Sequence, residues 1–151
     1  MKKFFFDDVR DAPSSSWTLA RDVSQARYIL LQEPFDIMSL DHDIGFQMAC
    51  HSCIEEVFKE SGNDSIAISN KLAEGCKHCE TGTTLARWMC DYLTKWPRII
   101  LIHSANPYGQ ERMLNILKEH VTREKINCAV ICVPFDKRTI ELYVDILGRS
   151  N

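Results

Sequence analysis

Short, largely apolar runs that stop abruptly at polar residues constrain this chain most. Lys3–Phe6 ends at Asp7-Asp8, Phe35–Leu40 at Asp41-His42-Asp43, Arg98–Ile102 at His103-Ser104, and Cys128–Val133 at Pro134. Runs of this length without polar alternation are strands buried on both faces, the habit of parallel sheets. Parallel strands need crossovers, and helical periodicity fills the gaps. Asp22-x-x-Gln25 reads as a capping box opening a helix with Ala26, Ile29 and Leu30 on its apolar stripe, stopped near Pro34. Thr84–Trp96 places Leu85, Trp88, Met89, Tyr92 and Trp96 on one face before Pro97. Gln110–Val121 and Thr139–Leu147 read as further helices, and Trp17–Ala20 as a short second strand. The expected class is α/β: one parallel sheet with helices on both faces.

Composition narrows the role. The 151 residues suit one domain with a sizeable core. With 18 Lys+Arg against 21 Asp+Glu the net charge is −3, which argues against a duplex-DNA binder. No apolar run approaches the roughly 20 residues of a membrane span. Phe4-Phe5-Phe6 runs straight into two acids, so it is no signal peptide. Seven cysteines in a chain of this length do not resemble a secreted disulfide scaffold and point to a reducing compartment, with metal binding as the use to test.

In an open parallel sheet the functional groups gather at the carboxyl ends of the strands. Asp7-Asp8, Asp41-His42-Asp43 and His103-Ser104 therefore meet on one rim, where plain turn residues would serve a purely structural sheet. Each also has a structural use. Asp8 and Asp43 suit turns, His42 suits orienting Asp41, Arg21 suits pairing with Asp22, Ser104 suits a cap, and Asn106-Pro107 suits fixing a loop.

The paired acids after the first strand, Asp41 after a central strand and Ser104-Ala105 after the next resemble the receiver domain of response regulators. That resemblance implies a receiver-like, flavodoxin-like three-layer sandwich with a sheet of about five strands. Two departures stand out. Val133 precedes Pro134-Phe135 where receivers carry a Lys, with Lys137 nearby, and His42 and His103 stand where receivers lack histidine. With Asp7-Asp8-Val9-Arg10, Trp17-Thr18-Leu19-Ala20-Arg21, Leu40-Asp41-His42-Asp43-Ile44-Gly45 and His103-Ser104-Ala105-Asn106-Pro107-x-Gly109, the chain closely resembles the cyclic-phosphate-processing receiver-like family.

The resemblance implies a metal-dependent phosphoesterase acting on a cyclic nucleotide or a 2′,3′-cyclic RNA end, in a bacterial or phage setting and hence cytoplasmic. On that reading Asp7, Asp8 and Asp41 offer hard oxygens to Mg²⁺ or Mn²⁺. Asp41, His42 and His103 are the expected catalytic residues, the imidazoles as general acid or base. Arg10, Arg21, Ser104 and Asn106 are the expected phosphate contacts. The rivals are a signalling receiver phosphorylated on Asp41 and a non-catalytic module that binds nucleotide or protein.

Residues 46–82 interrupt the alternation. They carry Cys50-x-x-Cys53 and Cys76-x-x-Cys79, four thiolates of the kind tetrahedral Zn²⁺ takes, around helical stretches Ile54–Glu60 and Ile66–Glu74. The expectation is a zinc-knuckle insert within a single domain spanning 1–151. Its zinc is structural because four thiolates leave no open position, with His51 and His78 as alternative ligands. The insert leaves directly from Asp41-His42-Asp43, so it is also a candidate lid or protein-docking surface. Cys90, Cys128 and Cys132 read as small core residues, and Trp17, Trp88 and Trp96 as packing.

Overall fold

The computed structural model describes residues 1–42, 51–73 and 80–149. Its sheet has the strands β1 (Lys3–Phe6), β2 (Trp17–Ala20), β3 (Ile37–Leu40), β4 (Ile99–Ile102) and β5 (Ala129–Cys132). They lie in the order β2-β1-β3-β4-β5, and every pairing is parallel. This is the receiver-like α/β fold. Six helices accompany the sheet among the described residues: α1 (Val23–Gln32), α2 (His51–Ser61), α3 (Ser65–Ala73), α4 (Gly82–Tyr92), α5 (Pro107–Arg123) and α6 (Lys137–Arg149). None of these helices is long and apolar enough to cross a membrane.

Side chains alternate between the two faces of a strand, so three consecutive phenylalanines serve two cores. Phe4 and Phe6 join Met38, Leu40, Ile100 and Ile102 under α1, α4 and α5. Phe5 joins Ile37, Ile99 and Leu101 on the opposite face, where Ile140 of α6 closes the cluster. The helical layers are thus unequal. The reason lies in the β1–β2 connection, residues 7–16, which carries no helix and contributes only Ala12 to the second core.

Helix ends differ from the periodic pattern for local reasons. Asp22 caps α1 by accepting the Gln25 N–H, while the Gln25 side chain takes the N–H of Arg21, one residue before the capping-box position. Helix α4 starts two residues early, at Gly82, whose N–H donates to the His42 carbonyl at 2.8 Å. It stops at Tyr92 because Leu93 turns extended ahead of Pro97. Tyr92 is consequently exposed, and Trp96 packs from the loop, its indole N–H bonded to the Leu93 carbonyl. Helix α5 begins at Pro107, an ideal first residue behind the Asn106 cap. Cys90 and Cys128 pack on the main core as expected. Burial lifts the Cys90 thiol to about 11 and that of Cys128 to about 12. Cys132 is a correction to the core reading: it ends the edge strand β5 and is exposed.

Candidate active site at the carboxyl edge of the sheet

The three central strands β1, β3 and β4 are neighbours in register, so the residues that follow them meet. Asp7, Asp41 and His103 continue the ladder through N–H bonds to Ala20, Phe6 and Leu40 carbonyls respectively. All are buried, His103 completely. The order 2-1-3-4-5 reverses direction between β1 and β3, the switch point at which such sheets open a crevice. Asp7 and Asp41 flank it.

The Asp7 carboxylate organises the loop that follows. Oδ1 accepts the N–H of Val9 at 3.0 Å and of Arg10 at 2.8 Å, a turn that folds Arg10 back over the rim. The Arg10 guanidinium lies 3.4 Å from Asp7 Oδ2 and 3.9 Å from Asp41 Oδ2, with Phe135 beneath it at 4.8 Å. Arg21 fastens the same loop, donating to the carbonyls of Asp7 and Arg10 at 3.2 and 2.7 Å and to the Asp11 carboxylate at 3.0 Å.

His103 is held on every side. Nε2 lies 2.9 Å from Asp7 Oδ2, and Nδ1 lies 2.7 Å from Ser39 Oγ. Its ring stacks on Phe5 at 4.8 Å with an interplanar angle of 5°, and Phe135 flanks it. Burial pushes the Asp7 carboxyl upward. The His103 hydrogen bond, the N–H groups of Arg10 and Val9 and the charge of His103 outweigh it, so the acid sits below its ordinary value and is ionised at neutral pH.

Asp41 accepts the N–H of His42 at 2.8 Å. The His42 ring is buried against the first turn of α5, where a Cβ on Gly109 would lie 2.4 Å from its Cγ. Ser104 Oγ accepts the Asn106 N–H, and Asn106 Oδ1 accepts the Gly109 N–H, so both residues build the turn into α5. Asp8 is half-buried beside Asp7.

Asp7, Asp41 and His103 each place a ligand atom within 4.8 Å of the others, the one such group among the described residues. Of the expected site residues, Asp7, Asp41, His103 and Arg10 come together directly. Asp8 stands outside the cluster, and Arg21, Ser104 and Asn106 brace the loops around it. Asp43, Cys50, Cys76 and Cys79 lie outside the described residues, while Cys53 is buried in the first turn of α2. Sequence reading passed over Ser39. A lone hydroxyl inside the buried strand Ile37-Met38-Ser39-Leu40 was the signal, because such a group needs a polar partner.

Residues 2–119 match the family model of the cyclic-phosphate processing receiver domain. The chain belongs to that family. No curated protein and no solved structure matches it. The family match covers every residue of the rim cluster and ends within α5. Strand β5 and helix α6 lie beyond it, yet they complete the receiver-like sheet. The protein is thus a receiver-like domain associated with cyclic-phosphate processing, and Val133, which precedes Pro134-Phe135, is buried in the second core.

Proposed function

We propose that the rim hydrolyses cyclic phosphodiesters with the aid of a divalent cation, opening a 2′,3′-cyclic RNA end or a cyclic nucleotide to a phosphomonoester. The observation that carries this reading is the buried Asp7–Asp41–His103 cluster at the switch point, capped by Arg10. Two carboxylates that close, taken out of water, repel each other unless cations compensate them. Arg10 meets them only at 3.4 and 3.9 Å. Paired carboxylate oxygens suit a hard divalent ion such as Mg²⁺ or Mn²⁺. When bound, that ion supplies charge neutralisation for the phosphate and a more acidic water.

The chain's own groups divide the remaining work. Asp7 and Asp41 hold the cation, with Asp8 next to them. Arg10 is the most exposed member of the cluster and is braced on Phe135, so it presents a planar pair of donors to a phosphate. Arg21 keeps the Arg10 loop in place. Ser104 uses its oxygen to accept from Asn106, which leaves its hydroxyl proton for a phosphate oxygen. His42 and His103 bring two imidazoles to the rim. The signalling alternative loses support at Val133, which offers no cation to an acyl phosphate on Asp41.

The insert completes the proposal. Helices α2 and α3 pack on each other, and α3 packs on α5, the helix whose first turn touches His42. Cys50, Cys53, Cys76 and Cys79 are proposed to hold one structural Zn²⁺ that fixes this hairpin beside the rim, where it is suited to meet substrate or a protein partner. One zinc per chain, lost in Cys53→Ser, is the expected metal analysis.

The activity is tested by incubating chelator-treated protein with 2′,3′-cyclic and 3′,5′-cyclic nucleotides and a cyclic-phosphate-ended oligonucleotide, with and without Mg²⁺ or Mn²⁺. Monoester release that requires the cation supports the reading. No release from any of them, even where a substrate binds, overturns it in favour of a non-catalytic module.

A further inference from the structure

The placement of His103 carries more than a proton-transfer role. Its side chain has no solvent exposure, and its ring is fixed between Phe5 and Phe135. A general acid needs access to the leaving group, and this imidazole is packed under the rim instead. Both nitrogens have fixed directions: Nδ1 towards Ser39 Oγ, Nε2 towards Asp7 Oδ2.

Ser39 can donate or accept, so the pair supports either tautomer. In place of the Nε2–H···Asp7 hydrogen bond, the other tautomer puts the proton on Nδ1, donated to Ser39, and points the Nε2 lone pair at the carboxylates. That is the arrangement of a metal-bound histidine, whose second nitrogen is held by an outer partner. The spacing agrees. Two donors at right angles on an octahedral ion, each about 2.1 Å away, lie about 3.0 Å apart, and Nε2 and Asp7 Oδ2 are 2.9 Å apart. Asp41 supplies a further oxygen within 4.8 Å of both.

We infer that His103 is a metal ligand through Nε2, completing a two-carboxylate, one-imidazole set with Ser39 behind it, and that this set takes Mn²⁺ or Fe²⁺ in preference to Mg²⁺. The inference rests on the proposed cation-dependent rim but goes beyond it, since Asp7 and Asp41 alone would suit Mg²⁺. A nitrogen donor favours first-row transition ions such as Mn²⁺ and Fe²⁺ over Mg²⁺, which keeps to oxygen and retains its waters.

The test uses Mn²⁺ as the probe, because it has little affinity for the thiolates of the insert. Binding to the zinc-replete full chain is followed by the loss of the free Mn²⁺ electron paramagnetic resonance signal. The ligand is then identified by ¹⁴N modulation of the bound spin echo. The wild type is expected to show ¹⁴N coupling and to bind Mn²⁺ at least about tenfold more tightly than Mg²⁺. His103→Asn is expected to lose the coupling and most of that preference. Ser39→Ala keeps the imidazole, so it carries the test if His103→Asn does not fold. It is expected to retain coupling with about 10- to 100-fold weaker binding. Mn²⁺ bound without ¹⁴N coupling, coupling that survives His103→Asn, or Mg²⁺ bound as tightly as Mn²⁺ overturns the inference and leaves the phosphoesterase reading standing. No binding of either ion overturns both.

Discussion

A methyl group on Gly109 would sit 2.4 Å from His42 Cγ and 2.5 Å from its Nδ1, and one on Gly82 would sit 2.3 Å from the Asp41 carbonyl oxygen. The two glycines let α5 and α4 close on the segment that carries Asp41 and His42. Two effects oppose each other in Gly109→Ala. Helix propensity favours alanine by roughly 0.5–1 kcal/mol, while overpacking costs about 1–3 kcal/mol. The ring has no slack at 2% exposure, so the clash wins. Urea denaturation of Gly109→Ala is expected to show a net loss of about 1 kcal/mol or more, and a gain in stability contradicts the packing described. At this scale the sequence made the ionisable rim legible, because Asp7, Asp41 and His103 each follow an apolar run. The duties of Ser39 and Gly109 were not legible. They depend on which ring lies against them in space, and His103 is 64 residues from Ser39.

Strands read well because largely apolar runs admit few alternatives: β1 and β2 have the expected bounds, and β3, β4 and β5 are shorter by one or two residues. Helix starts read less well, because caps act through single hydrogen bonds that periodicity does not register. Asn106-Pro107 was legible as a loop-fixing pair, and it is the cap and first residue of α5. Asp136 plays the corresponding part for α6, accepting the Arg138 N–H at 3.2 Å and the Thr139 hydroxyl at 2.8 Å. The Thr139 hydroxyl first, then the Arg138 N–H, hold its carboxyl below the ordinary aspartate value. A carboxyl depressed on folding contributes stability above its unfolded pKa and loses it as pH falls through the folded one. Thermal melts should therefore show Asp136→Ala less stable than the wild type at pH 7, with the gap closing as pH falls below about 4. A gap that does not change with pH contradicts the cap.

The whole sheet depends on its unequal layers. The alternation of strands and helices made the parallel α/β class legible, and the helix-free step from the first strand to Trp17–Ala20 was legible too, but not that this leaves the second face to α6. The family match ends at residue 119, yet Phe5, Ile37, Ile99 and Leu101, all at most 5% exposed, need the cover that follows. Exposing such side chains costs roughly 1.5–3 kcal/mol each, together on the order of a domain's whole stability. A chain ending at Glu124 is expected to lose cooperative unfolding, and a sharp thermal transition in it contradicts this division of the core. The same architecture brings three strand ends to one switch point, and the central claim is that chemistry occurs there. The most direct test is the rate of cyclic-phosphodiester opening by wild type and Asp41→Asn at saturating Mn²⁺, on protein shown to be folded. The account predicts cation-dependent turnover that falls about 100-fold or more in the variant; turnover unchanged by Asp41→Asn would contradict it.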